Sequence, residues 1–118
     1  MANPIRGEVT LQAGDEAFTL SFSVNAIVEL EDHLDLPVSK IANLLNDPEN
    51  VRMKTVRALI WAALRDHHEH VTIIEAGKLA TRVGVAGCME KVGRAFQLAF
   101  PDAEDEEKTS RPQKAKAG

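Results

Sequence analysis

The stretch RGEVTLQAGDEAFTLSFSVNAIVELEDHLDL, residues 6–36, contains a change in the spacing of its apolar residues. Over residues 6–23 apolar and polar residues alternate, which is typical of paired strands with one buried face. The apolar positions of this part are Val9, Leu11, Phe18, Leu20 and Phe22, and a turn is expected at residues 13–16. Because a two-stranded hairpin is marginally stable alone, its apolar face must lie against helices or against another chain. The pattern therefore predicts an N-terminal β-hairpin with a covered face and open edges.

Beyond the hairpin the apolar spacing becomes helical. Ile27, Leu30 and Leu34 fall on one face of a short amphipathic helix. We expect this helix to end at Pro37, because the residue before a proline is disfavoured in helical conformation. A second short helix is predicted over residues 38–45.

Residues 47–49, Asp-Pro-Glu, have the composition of a helix start. Aspartate can cap the first turn, proline fits the first helical position, and glutamate suits the positive end of the helix dipole. We therefore predict a third helix from this point to about Asp66, with Val51, Val56, Ile60 and Leu64 on its apolar stripe.

The last two predicted helices are marked by their ends. Thr72 and Glu75 have the spacing of a capping box, and Gly84 is predicted to end the helix that they start. A final helix over about residues 85–100 is closed by Pro101.

The predicted fold is α+β and mostly α-helical: an N-terminal β-hairpin followed by roughly four to five short helices, in one domain of residues 1–101. The composition then changes sharply, since residues 102–107 contain five acids and residues 108–118 are basic and polar. We expect residues 102–118 to form a disordered charged tail.

The bulk composition argues against several classes of protein. The chain has 118 residues, which suits one domain, and a formal net charge of −4, which disfavours general attraction to nucleic acid or anionic lipid. No segment approaches the roughly 20 apolar residues of a membrane helix, and the N-terminus does not have the basic start of a signal peptide. Cys88 is the only cysteine, so we expect a small core residue in a reducing compartment. We predict a cytoplasmic protein that binds neither nucleic acid nor membrane.

No catalytic or metal site is predicted. The chain has no Gly-x-Ser-x-Gly elbow, phosphate loop or dinucleotide fingerprint. Residues 66–70, Asp-His-His-Glu-His, offer metal-binding side chains, but only the pairs 66/70 and 67/70 have the spacing that places two ligands on one helix face. We interpret this stretch as a solvated helix terminus, and Glu29 and Asp32 as solvated carboxylates. We therefore expect neither an enzyme nor a cofactor.

Residues 76–95 leave one alternative from another class, a small helix-turn-helix DNA-binding regulator. Ala80 lies four residues before the turn residue Gly84, and Val92 has a suitable core position. The second helix would begin Ala-Gly-Cys-Met-Glu, which offers few groups to read base edges. The acidic balance of the chain also disfavours this alternative.

Five short stretches carry a resemblance to a known family. They are Arg6-Gly7-Glu8, Phe22-Ser23-Val24-Asn25-Ala26, Glu29-Leu30-Glu31, Thr72-Ile73-Ile74-Glu75-Ala76 and Gly87-Cys88-Met89-Glu90-Lys91-Val92. In their order and spacing the chain resembles the small tail proteins of gene transfer agents and related siphophages, a family labelled both as tail tube protein and as tail assembly chaperone. The resemblance spans about residues 5–101.

The resemblance implies a tail assembly chaperone that binds the tape-measure protein, keeps its long helices soluble and hands it to tail-tube subunits in the cytoplasm of the bacterial host. The alternative is a structural tail component, a tube or terminator subunit, and a homo-oligomer is left open. Tube subunits are usually dominated by β-structure, so a single predicted hairpin favours the chaperone. The residues that we expect to bind partners are Phe18, Leu20, Phe22, Met89 and Phe96. For the hairpin residues among them, the competing interpretation is that they seal the domain's own core.

Overall fold

The computed structural model describes residues 2–101. Within these residues a two-stranded antiparallel hairpin is followed by five α-helices, with short 3₁₀ helices at Pro4–Arg6 and Pro48–Asn50. The strands are β1 Val9–Ala13 and β2 Glu16–Leu20, and the helices are α1 Val24–Leu34, α2 Val38–Leu45, α3 Met53–Leu64, α4 Ile73–Val83 and α5 Val85–Ala99. The predicted α+β, mostly helical fold is confirmed. The predicted tail, residues 102–118, lies outside the described residues.

The hairpin turns at Gly14 and Asp15, and its register places Leu11 opposite Phe18. Gly14 has a φ of 63°, the left-handed conformation that a type II′ turn requires at its first central residue. Residues opposite each other in a strand pair share a face of the sheet. Leu11 and Leu20 are buried on this face, which confirms the predicted apolar side of the hairpin.

Two of the helices begin with side-chain caps. The Ala26 N–H donates to Ser23 Oγ at the start of α1, over 3.1 Å. At the start of α4, Thr72 and Glu75 form the complete capping box that their spacing predicts. Each cap satisfies backbone N–H groups that the first helical turn leaves unpaired.

The predicted start of the third helix is wrong. Pro48–Asn50 form only a 3₁₀ turn, and α3 begins at Met53. Val51 is buried in an extended conformation, so its packing takes the chain out of the helical path at this point. The Asp47 carboxylate accepts a hydrogen bond from the Asn50 side chain, over 2.7 Å, and caps no backbone N–H.

Helix α3 forms the centre of the core and contacts α1, α4, α5 and β2. Its fully buried residues are Ala58, Leu59, Ile60, Ala62, Ala63 and Leu64. A helix that is covered on most sides needs apolar residues around most of its circumference, as here. Although α3 is so apolar, none of the helices in residues 2–101 is long and apolar enough to cross a membrane.

Gly84 alone joins α4 to α5. Its φ of 104° lies in a region that L side chains rarely adopt, and the predicted helix end at this residue is confirmed. The turn of a helix-turn-helix motif has about 3–4 residues, so this junction is shorter than the DNA-binding motif requires. Cys88, in the first turn of α5, is buried as predicted, and burial raises the pKa of its thiol.

Candidate protein-binding surface

Three of the five residues predicted to bind partners lie in the domain's own core. Leu20 is 0% exposed, Phe22 6% and Phe96 5%. The rings of Phe22 and Phe96 meet edge to face, with their centroids 5.7 Å apart. These side chains join the hairpin end of the chain to α5, so they offer a partner little surface in this conformation.

Phe18 and Met89 are half-buried and lie on different elements. The Phe18 ring packs against the His68 ring, with centroids 5.3 Å apart. Met89 lies on α5 and lines a groove at the surface. The five residues therefore do not form one exposed surface, and partner binding through Phe18 and Met89 stays a prediction.

The groove beside Met89 runs along α5 on the side that faces α2. Its larger part is a cavity of about 830 Å³, and a smaller part of about 180 Å³ continues from it toward Phe100. With a rise of roughly 1.5 Å per residue, the span from Val85 to Phe100 is about 22 Å, or about four helical turns. The apolar and small residues of its walls are Val85, Ala86, Met89 and Gly93 on one side and Leu45 and Pro48 on the other.

Gly93 lies where the two parts of the groove meet. A Cβ atom at this position would meet no other atom within 4 Å, so the space above the glycine is open. Glycine inside a helix costs about 1 kcal/mol relative to alanine. A larger residue would fit at position 93 and would favour the helix, yet glycine is present. A glycine inside a predicted helix is one signal in the sequence that points to this place. Met89 and Phe96, both predicted to bind partners, also line the groove.

Three charged residues stand on the rim of the groove. Glu49 follows α2 in the second 3₁₀ helix, whereas Glu90 and Arg94 lie one turn apart on α5. In the part of the chain that the structure describes, none of these three side chains takes part in an ion pair. The rim therefore offers two acids and one base to a molecule seated in the groove.

Residues 66–70, expected to be a solvated helix terminus, are exposed apart from the half-buried His68, but Asp66 and His68 also fasten the hairpin to the end of α3. The Asp66 carboxylate accepts hydrogen bonds from Ser21 Oγ (2.9 Å), Ser23 Oγ (2.7 Å) and the Ser23 N–H (3.1 Å). The Ala63 carbonyl, one of those that the end of α3 leaves unpaired, accepts the Ser21 N–H over 3.0 Å. Asp66 is thus exposed as expected, and the structure adds hydrogen bonds to segments that lie far from it in the sequence.

His68 covers the outer edge of β2. Its Nε2 accepts the Thr19 N–H over 3.0 Å, which requires the neutral imidazole. Burial, and after it the charge of His67, lower the pKa of His68 and favour that neutral form. His67 itself lies 3.5 Å from a carboxylate oxygen of Glu8. Within residues 2–101 no group of three or more His, Cys, Asp and Glu side chains is placed to hold a metal ion.

Glu29 was expected to be solvated, and here too the structure adds a partner. Its carboxylate accepts a hydrogen bond from Arg65 Nε over 3.0 Å. Arg65 also donates to the Glu69 carbonyl over 2.7 Å, and its guanidinium lies 5.3 Å from the centre of the Trp61 ring. Asp32 is exposed, as expected.

The outer edge of β1 differs from that of β2. Peptide groups alternate between the two sides of a strand, and the pairing of Leu11 with Phe18 turns the peptide groups of Thr10 and Gln12 away from β2. Within residues 2–101 no further strand pairs with them, because the sheet has two strands. Among the described residues, strand β1 thus keeps its outward peptide groups free of a further strand, whereas on β2 those of Thr19 and Ser21 are bonded.

Comparison with known proteins identifies a family for the chain. No curated protein and no solved structure gives a significant match to the chain. The family described as "Phage tail tube protein, GTA-gp10" matches residues 6–101, which include both strands and all five described α-helices. This confirms the resemblance carried by the five short stretches. The chain therefore belongs to the GTA-gp10 family of phage tail tube proteins, and with it to the structural components of phage tails.

Proposed function

We propose that the chain acts as a tail assembly chaperone, which binds the tape-measure protein and delivers it to tail-tube subunits in the cytoplasm of the bacterial host. The observation that carries the proposal is the open groove along α5, with its apolar walls and with rim charges that form no ion pair among the described residues. A client made of long helices can bury an apolar stripe in such a groove. The proposal assigns the chain no catalytic step and no cofactor.

The small sheet supports transient binding more than polymerisation. Extension of a sheet between subunits needs edges with free peptide groups. On β2 the N–H groups of Thr19 and Ser21 already donate to His68 and Ala63. A tube held together by strand pairing on both edges of the hairpin would have to break these two bonds.

A tube or terminator subunit is the second candidate, and the open edge of β1 favours it. The peptide groups of Thr10 and Gln12 could accept a strand from a neighbouring subunit. The description of the family as tail tube protein points the same way. The two candidates differ in whether the chain alone forms higher assemblies.

Size-exclusion chromatography with light scattering tests the proposal, on the full chain alone and after co-expression with the tape-measure protein encoded nearby. We expect a discrete complex and a tape-measure protein that stays in the soluble fraction only with the chain present. If no complex forms and the tape-measure protein stays insoluble, the chaperone proposal is rejected.

Electron microscopy of the chain alone tests the second candidate. Rings or tubes that disappear in a Thr10→Pro variant would favour the tube subunit, because proline removes the outward N–H of β1 and is tolerated at a sheet edge. A proline at another threonine, such as Thr81→Pro, is not a suitable control, because Thr81 lies inside α4 and the proline would break this helix. Gln12→Ala keeps the peptide group and serves as the matched control on the same strand.

A further inference from the structure

We infer that the groove along α5 binds an amphipathic α-helix of a partner protein, seated by its apolar stripe and carrying a lysine or arginine between Glu49 and Glu90. The inference rests on the proposed function and names the kind of segment that the chain recognises. Its support comes from the length, the walls and the charges of the groove.

The walls of the groove select a helix over an extended strand. Both walls are helical, α5 on one side and the end of α2 with its 3₁₀ turn on the other. The peptide groups of a helix interior are bonded within the helix, so a strand laid in this groove would find few backbone partners on its walls. A helix brings its own satisfied backbone and needs only side-chain contacts.

The α5 wall of the groove allows a bound helix to approach closely. Gly93 and Ala86 are small, and the position above Gly93 is open. Helix axes pack roughly 8–10 Å apart, and small residues permit the lower end of this range. Met89 stands beside them, and its flexible thioether chain adapts to apolar side chains of different shapes. A span of about four turns gives such a helix room for an apolar stripe at i, i+3, i+4 and i+7.

The charges of the rim set the chemistry of the occupant. Glu49 and Glu90 belong to the two opposite walls, and neither has an ionic partner within residues 2–101. Both carboxylates line this one groove, so each would attract a base on a helix seated in it. Arg94 lies one turn further along α5. It would meet an acidic residue that stands one turn away from the base on the bound helix. The complementary helix is therefore basic at the level of the two glutamates.

The charge of the occupant is tested with two synthetic probes and the full-length chain. Both probes are capped, fluorescein-labelled helices of about 16 residues with leucines at helical spacing. One carries lysines at the level of the glutamates, and the other carries glutamates there. By fluorescence anisotropy we expect the lysine probe to bind at least about tenfold more tightly than the glutamate probe. A Glu49→Gln/Glu90→Gln variant should lose most of this preference.

A second pair of substitutions controls for net charge. Asp32→Asn/Glu69→Gln removes the same two charges from exposed residues outside the groove. This variant should keep the preference for the lysine probe, because its two changes lie outside the groove. A general attraction would instead fall equally in both double variants, since it depends on net charge wherever the charges lie. Equal loss in both double variants would overturn the assigned charge recognition.

The location of the site is tested with Gly93→Leu. The added side chain enters open space and replaces a helix-interior glycine, so we expect circular dichroism and thermal unfolding to show a fold at least as stable as before. Binding of the lysine probe should weaken by about tenfold or more. Lys91→Leu adds the same side chain to the exposed outer face of α5 and should leave binding nearly unchanged. Equal binding by the two folded variants overturns the inference.

Co-expression with the tape-measure protein separates this inference from the proposed function. A complex that forms equally with Gly93→Leu and with Lys91→Leu rejects the groove and leaves the chaperone role standing. A lysine probe that binds through Gly93 while wild-type chain forms no tape-measure complex supports the groove and rejects the chaperone role. Self-association that Gly93→Leu abolishes, with no probe binding, would identify a second copy as the occupant and overturn the inference.

Discussion

Asp66 holds the end of the hairpin to the end of α3, and the Asp66→Ala variant measures how much stability this contact provides. The carboxylate accepts one hydrogen bond from Ser21 and two from Ser23, which lie 45 and 43 positions earlier in the chain. Alanine would leave the buried Ser21 hydroxyl without its acceptor. It would also release Ser23, whose Oγ caps α1.

The size of the effect follows from the exposure of the three bonds. A hydrogen bond contributes about 0.5–1.5 kcal/mol net, and water replaces the lost partner more easily at an exposed site. We take about 0.5 kcal/mol for each Ser23 bond and about 1 kcal/mol for the buried Ser21 hydroxyl, which gives a loss of about 2 kcal/mol in the free energy of unfolding. For a domain of this size the melting temperature should fall by roughly 8 °C.

Urea unfolding followed by circular dichroism measures this loss. We expect a lower midpoint with an unchanged slope, since the surface exposed on unfolding stays the same. Asp32→Ala is the matched control, because it removes the same charge from an exposed position on α1. Asp66→Asn keeps one oxygen acceptor and should fall between the two. If the free energies of unfolding of Asp66→Ala and Asp32→Ala differ by less than about 0.5 kcal/mol, the hydrogen bonds of Asp66 do not stabilise the contact between the hairpin and the end of α3.

Three further predictions concern single residues. The neutral His68 accepts the Thr19 N–H, and burial and His67 lower its pKa from the ordinary value of 6.5. The contribution of His68 to stability is therefore present above pH 6.5, where the unfolded chain is also neutral at this residue. This contribution is lost as the pH falls through the lower pKa of the folded state. Between about pH 7.5 and pH 5, wild-type chain should therefore lose more stability in urea unfolding than His68→Gln, and equal losses would exclude this coupling. Gly84→Ala places a side chain at a positive φ, so we expect a loss of about 1–3 kcal/mol by thermal unfolding, and an unchanged melting temperature would contradict this. Thr72→Ala removes the capping box of α4 and should cost about 0.5–2 kcal/mol by the same assay, whereas Thr81→Ala on the exposed face of α4 should cost less.

The local elements of the fold are predictable because each has a signal in adjacent residues. The alternation around Phe18 marks the hairpin, and the capping box at Thr72 marks the start of α4. Helix α3 is the exception. Its start is displaced from the Asp-Pro-Glu signal because burial of Val51 keeps the chain extended there. Tertiary packing outweighs a local helix signal that provides only about 1 kcal/mol.

The partner-binding surface is less predictable, since exposure depends on which elements become neighbours. Leu20, Phe22 and Phe96 look the same in the sequence as residues that bind a partner, yet they are buried. The groove requires α2 to lie beside α5. No sequence pattern in either helix predicts that these two helices become neighbours.

The sequence by itself determined the hairpin, the order of the helices and the family, because period, caps and short motifs are properties of residues close together in the chain. Only the tertiary structure decided the roles of Asp66 and His68, which bond to the hairpin, and the opening above Gly93. These features join segments that are distant in sequence, and apolar burial, which brings such segments together, is non-directional. A pattern of apolar residues therefore tells which residues are buried more readily than which residues meet.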